Sequence, residues 1–480
     1  MLASPQDAIL QPPVFSELYQ HHVTGMNLLS YGIADWVKLL GVSLILATIL
    51  NGTPFFLKKV GIVNKEAYEA YWNVHSVGGP YSCGPLPRKQ FLKEKAYTRY
   101  LFENKGGGIF LKGMKDLLIG GFILLSFILH LARKDKKSNR SLAWPVLSLV
   151  LLVVAASLLT YLKHGGLLVA SGIRSFMFLG IASAGMWFVR SKGLGILAAC
   201  TGILILVQFL IIPFELIFGL PINGYLCFLN RFLPARVSGT FILPNSLGSF
   251  AISALAFYYD FSNSRKYLRW LIPITLLLVI ASGSATGFIC FVLFLGILLI
   301  RHLGENHQKL AYTAVTALLM SVLILLPYLL GRPALLGSLF GERGRFKTLQ
   351  AVIASNSPYE TIFGNGIGYG TNTALTLFQQ NYTHKAVFGY GAALLRPDST
   401  ITMMFCQVGV IGLILFYAML FLAMLRDNKA RIFYLTIILT SMTMSITELF
   451  PVNFLLGVAL ASSFSTDCTA KEPIRHCQAA

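Results

Sequence analysis

The stretch AWPVLSLVLLVVAASLLTYLKHGGLLVASGIRSFMFLGIASAGMWF, residues 143–188, decides the fold class. Residues 143–162 carry no charge, and 166–188 carry only Arg174. Each run has about the 20 residues that a helix needs to cross a hydrocarbon core roughly 30 Å thick. The same grammar repeats outward in both directions. Apolar runs are read as spans at 36–57, 114–132, 143–162, 166–188, 194–214, 240–260, 267–283, 286–303, 310–330, 400–425, 432–447 and 450–466. The expected fold is therefore all-α, a polytopic transmembrane helical bundle of about 12 spans. It has a cytoplasmic N-terminal segment at 1–35, a membrane domain at 36–466 and a cytoplasmic tail at 467–480. No cleavable signal peptide is read in the first thirty residues, which contain Pro5, Pro12, Pro13, His21 and His22. The first span is expected to act as an uncleaved signal.

Composition agrees. Hydrophobic residues make up 55% of the 480, charged residues only 12%, and mean hydropathy is +0.67. Soluble domains carry about twice that charged fraction. The net charge of +20 does not indicate nucleic acid as a partner. The basic residues lie in short clusters between apolar runs, as membrane topology requires. Arg133, Lys134, Lys136, Lys137 and Arg140 form one cluster; Arg190 and Lys192, Arg265 and Lys266, Arg301 and Lys309, and Arg426, Lys429 and Arg431 form the others. They occupy every second connection, so these and both termini are expected in the cytoplasm. The seven cysteines show no C-x-x-C spacing and support neither a zinc site nor a disulfide framework.

Two long stretches then fall outside: 58–113, rich in Lys and aromatic residues, and 331–399. The second is too long for a passive connector. Phe346, Leu349, Val352 and Ile353 share one helical face after the basic start Arg343, Arg345 and Lys347. This predicts a short amphipathic helix on the outer membrane surface. The glycine-rich turn FGNGIGYG follows at 363–370. It lacks the Lys-Ser/Thr of a nucleotide-binding loop.

Charges within or beside spans need a reason. Arg174, Glu215 and Glu448 all fall toward the outer half, on the same side as Arg236, Glu342, Arg343, Arg345, Arg396 and Asp398. Arginine keeps its charge and grips phosphate oxygens bidentately, which suits a lipid diphosphate at headgroup level. The plainer alternative is contact with ordinary anionic lipid or snorkelling. Asp398, Glu342 and Glu448 have the chemistry of a general base or of a group that orients a sugar hydroxyl. Glu342 has an alternative role as the ion-pair partner of Arg343, and Asp398 as a cap for the helix that begins in RPDSTI.

Four stretches resemble the O-antigen ligase and polysaccharide polymerase superfamily of bacterial membranes. RVSGTFILPNSLGSF at 236–250 resembles that family's arginine-bearing approach to a span, with Asn245 and Gly248. ASGSATG at 281–287 resembles its short Ser/Thr/Gly turn. GERGRFKTLQAVIASNSPYETIFGNGIGYG at 341–370, with Asn365, resembles its large external loop. RPDSTITMMFCQVGVIGLILF at 396–416 resembles the span that follows, with Gly409 and Gly412. The likeness covers about 140–465. Ala285 stands where the family usually carries an arginine. Asp398 stands where ligases usually show a histidine, which favours a polymerase over a ligase.

The resemblance implies glycosyl transfer on the outer face, from a glycan on polyprenyl diphosphate to a hydroxyl of a glycan acceptor. Asp398, Arg236, Arg345 and Arg343 are the expected catalytic residues. Arg174, Glu342, Arg396, Glu448, Asn245 and Asn365 are expected to bind substrate. Membrane lipids are further expected partners, and a chain-length regulator and a flippase are candidate ones. No cofactor is expected, and the lack of an Asp-x-Asp pair argues against a catalytic metal. An O-antigen ligase and a transporter or flippase of lipid-linked sugars remain the alternative readings, with a scaffold for envelope assembly behind them.

Overall fold

The computed structural model describes residues 40–50, 115–124, 144–188, 191–218, 237–241, 244–302, 345–371 and 399–465. Among the described residues every regular element is a helix. Two helices lead, α1 (Leu40–Leu50) and α2 (115–124). Next come α3 (Trp144–His164), α4 (Gly166–Ile173) and α5 (Met177–Phe188), then α6 (Ser191–Phe218), α7 (Pro244–Phe261), α8 (Leu268–Ser282) and α9 (Ala285–His302). Two short helices, α10 (Arg345–Ser355) and α11 (Pro358–Phe363), precede α12 (Thr400–Arg426), α13 (Arg431–Ser441) and α14 (Val452–Ser465). The predicted span 310–330 lies outside the described residues.

Among the described residues, four helices are long and apolar enough to cross a membrane: Trp144–His164, Gly166–Gly185, Gly193–Phe214 and Thr400–Arg426. Helix α3 shows why. Val146, Leu149, Val153, Ala156 and Thr160 are buried on one face, while Leu151, Val154, Leu158 and Leu162 are exposed on the other. A helix apolar on both faces needs lipid around its outer stripe. The second long helix is α4 and α5 joined by a single 3-10 turn, Arg174–Phe176, whose flanking residues keep right-handed helical angles. The span read at 166–188 is thus one tightened rod.

Helix α7 is the opposite case. It carries Ser246, Ser249, Ser253 and Asp260, yet all four are buried. It packs against α6, α8, α9, α13 and α14, so other helices shield its polar groups. Close approach relies on small residues, as is usual between membrane helices. A Cβ at Gly248 would overlap Ser284, and one at Gly457 on α14 would overlap Ile181 on α5. Among the described helices, α5 and α14 pack most extensively; edge-to-face rings join α2 to α14 through Phe122 and Phe454, and α5 to α12 through Phe178 and Phe416.

The chain ends of these helices sort into two sets. One end gathers Arg265, Arg301, Arg426 and Asp427. There Arg265 and Arg301 lie over the Tyr259 ring, Arg426 over Phe464, and Asp260 accepts the N–H of Phe433 at 2.8 Å. The basic connections between α7 and α8, after α9, and between α12 and α13 thus share one end. The other end gathers 237–241, 281–287, 399–400 and 442–451. Val237 donates its N–H to Ala281 (3.0 Å), Thr443 its hydroxyl to Thr286 (2.6 Å), and Thr400 its N–H to Met444 (3.1 Å).

One element differs from expectation. The span read at 432–447 stops at Ser441, leaving an 11-residue helix about 16 Å long, too short to cross unaided. Residues 442–451 are irregular instead, with Met444, Ile446, Thr447, Phe450 and Pro451 buried. Their backbone is captured by tertiary partners. Thr400 supplies both an N–H to the Met444 carbonyl and a hydroxyl that receives the Ile446 N–H at 3.0 Å. Irregular backbone at membrane depth is tolerated where protein surrounds it.

Candidate functional site

At the end of the bundle opposite the basic connections, three irregular backbone features lie together. The first is the 442–451 segment. The second is a break inside α12 at Gly409, whose φ of 66° and ψ of −165° belong to no helix. The third is the glycine-rich turn that follows α11, with Gly364, Gly366, Gly368 and Gly370 all at positive φ.

The second and third features interlock. At the break, the N–H of Asn365 takes the Cys406 carbonyl at 2.7 Å. A Cβ on Gly409 would strike the Ile362 carbonyl, and one on Gly364 would strike the backbone of Gln407 and Val408. Two more of the turn's amides also face protein. Ile367 donates to the Thr160 hydroxyl at 2.8 Å and Gly368 to Gln407 Oε1 at 3.2 Å. The turn is therefore a plug fitted into α12 and α3, with the N–H groups of Gly364, Asn365, Ile367 and Gly368 bonded within the protein. Around its rim, Tyr369 meets His164 at 3.0 Å and Ser171 donates to Thr371 at 3.2 Å.

Helix α10 packs beside the plug. Val352 is buried against Phe405 and Cys406, with Leu349 and Tyr369 at the edge, while Ile353 is 45% exposed. A helix is present where one was predicted, with Leu349 and Val352 on its inner face; Ile353, expected on that face, is turned outward, and the side chain of Phe346 lies outside the described residues. The capping box at Ser357 and Glu360 then starts α11.

Charged groups form a separate cluster. Arg174 pairs with Asp116 of α2 at 2.7 Å, and Glu448 Oε1 accepts the hydroxyl of the buried Ser175 at 2.9 Å. Lys115 precedes Asp116 at the start of α2. Of the residues singled out in the sequence, the structure thus draws Arg174 and Glu448 to one place, through Ser175. Lys115 and Asp116 were missed. Their signal was a Lys-Asp pair at the very start of the span read at 114–132, which passed as an ordinary span flank.

The other predicted site residues divide. Asn245 is half-buried in the first turn of α7, three residues before the Gly248 that meets Ser284. Asn365 is used structurally, since its Nδ2 donates to Asn356 at 3.1 Å and its N–H fastens the turn. Arg236, Glu342, Arg343, Arg396 and Asp398, with the side chains of Glu215 and Arg345, lie outside the described residues. Arg345 itself begins α10. One alternative is corrected: the cap of α12 is Ser399, whose hydroxyl accepts the Thr402 N–H at 3.2 Å.

No protein-family model matches the chain, and no curated protein matches it significantly. Among the described residues, no group of three or more His, Cys, Asp or Glu side chains is arranged to hold a metal ion.

Proposed function

We propose that this chain is a membrane glycosyltransferase that polymerises polyprenyl-diphosphate-linked oligosaccharide repeat units into a surface polysaccharide on the outer face of the cytoplasmic membrane. The supporting observation is convergence. The described parts of the four resembling stretches, spread over more than 150 residues of chain, assemble at the end opposite the basic connections. Residues 237–250 pack on 281–287, and 345–371 on 399–412. The 442–451 segment ties the two pairs together through Thr286 and Thr400.

In this reading the acceptor hydroxyl attacks the anomeric carbon and gives its proton to Asp398, while the lipid diphosphate leaves with the bonding electrons. Arg236, Arg343 and Arg345 stabilise the charge that builds on the leaving group. The reaction transfers a glycosyl group and consumes no nucleotide. The test is purified protein with lipid-linked repeat units and no ATP. Lengthening of the glycan supports a polymerase; transfer to lipid A core indicates a ligase instead. Arg236→Ala and Arg345→Ala should each reduce lengthening by about tenfold or more at matched expression, with only partial recovery by Lys.

The interruption of α12 at Gly409 favours one second reading. Transporters bind substrate at broken helices. Sugar-lipid crossing vesicle bilayers with no change in glycan length would support it.

The proposed topology completes the twelve spans, with both termini cytoplasmic and 331–399 outside, because basic connections stay inside. A cysteine placed at Gln379 in a cysteine-free background should react with an impermeant maleimide in intact cells. Reaction only with a permeant reagent rejects the topology.

A further inference from the structure

Helix α11 leaves Tyr359, Ile362 and Phe363 exposed, at 55%, 44% and 40%. At spacings of three and four residues they share one face, and the rings of Tyr359 and Phe363 lie 5.0 Å apart. The neighbouring α10 differs. It turns Leu349 and Val352 toward Phe405 and Cys406, so protein already occupies its apolar face. The surface helix expected from the sequence at 346–353 is thus committed to the bundle, and α11 is the one with an apolar face left over.

Two neighbours identify what covers it. The first is α12, on which α11 packs. Thr402 to Gly409 are all buried, whereas Val410, Ile411, Ile414, Phe421 and Leu425 are exposed. The lipid-facing stripe of α12 therefore starts at Val410. From there to Leu425 it spans about 24 Å, short of a hydrocarbon core roughly 30 Å thick. Ile362 sits at the outer edge of this stripe, because its carbonyl fills the space where a Cβ of Gly409 would stand. The apolar face of α11 thus lengthens the stripe where it falls short. The second neighbour is α3. Leu158, Leu159, Tyr161 and Leu162 are exposed before and after Thr160, which receives the N–H of Ile367. The glycine turn that follows α11 is held at a level where α3 still faces lipid.

We propose that α11 is seated in the leaflet opposite the basic connections, with Tyr359, Ile362 and Phe363 among the upper acyl chains. An amphipathic helix enters the boundary between headgroups and chains by about 5–10 Å, and aromatic rings favour that depth. The partner is the lipid bilayer. Its hold on α11 fixes the level of the plug, because α11 runs directly into Gly364 and into the bond from Asn365 to Cys406. This inference does not depend on the glycosyltransferase reading.

The experiment attaches one fluorophore at a time to Tyr359→Cys, Phe363→Cys or Ile414→Cys in a cysteine-free, full-length protein in phosphatidylcholine vesicles. Lipids carrying a nitroxide near the glycerol or near the chain end act as shallow and deep quenchers, and iodide acts from the water. Ile414 lies about 7.5 Å along α12 from Gly409 and marks the deeper stripe. Labels at Tyr359 and Phe363 should be quenched about twofold or more better by the shallow nitroxide than by the deep one, with the order reversed at Ile414. Each labelled protein is checked for the parent's melting temperature, and either α11 position decides the outcome if the other variant does not fold. Strong quenching by iodide and none by the lipids overturns the proposal, and leaves a water-facing aromatic pair suited to stacking on a sugar. Labels shielded from all three quenchers also overturn it, because another part of the chain or a second copy then covers α11.

Discussion

Asp398→Asn should reduce glycan lengthening roughly a hundredfold or more while donor binding persists. An asparagine can align a sugar hydroxyl but cannot take its proton. A helix cap would forecast the reverse, since Asn caps about as well as Asp. The structure gives that role to Ser399, so the two effects can be separated by neighbouring substitutions. Ser399→Ala should cost about 1 kcal/mol of stability and leave turnover within a few fold. The check is a chain-length assay on both variants beside a melting curve for each. An Asp398→Asn protein that lengthens glycans normally removes Asp398 from the chemistry.

Gly409→Ala should prevent the plug from seating and destabilise the protein by about 3 kcal/mol or more. Two effects add. The backbone at φ 66° and ψ −165° is essentially confined to glycine. The new methyl would also overlap the Ile362 carbonyl and the Gly364 amide, which are backbone and cannot rotate aside. Gly412→Ala, three residues on, is the milder comparison. Its Cβ meets the side chain of Val408, and its own φ is not positive. Thermal unfolding in detergent, with Gly409→Ala no less stable than Gly412→Ala, would reject the interlock. Because Gly364 and Gly409 touch the same backbone, Gly364→Ala combined with Gly409→Ala should cost less than the sum of the two.

The helical class was legible wherever apolar runs were long and unbroken. Trp144–His164 and Thr400–Arg426 fall within two residues of the runs read at 143–162 and 400–425. The reading failed where tertiary bonds compete with helix propensity. Residues 442–447, MTMSIT, continue an apolar run without Gly or Pro, so nothing local stops a helix at Ser441. Thr400 does, by bonding the backbone at Met444 and Ile446. Gly409 was noticed as half of a Gly-x-x-Gly pair, but its positive φ follows from α11 and the turn at 364–370, some 40 residues earlier. For the site, Arg174 and Glu448 stood out because a charge in an apolar run is costly. Lys115 and Asp116 did not, because charges at the edge of a run are ordinary. Their meaning arises only when Arg174 is brought beside them.

The extensive packing of α5 on α14 has a consequence for biosynthesis. About 260 residues separate Phe188 from Val452. At roughly 5–20 residues per second, translation places α14 in the bilayer about 13–50 s after α5. Throughout that interval the face of α5 that bears Phe178 and Ile181 has only lipid or earlier helices to rest on. The Glu448 that meets Ser175 has not yet been made. The nascent chain must therefore hold an open bundle until α14 arrives, and insertion of α14 is the step that closes it onto α5.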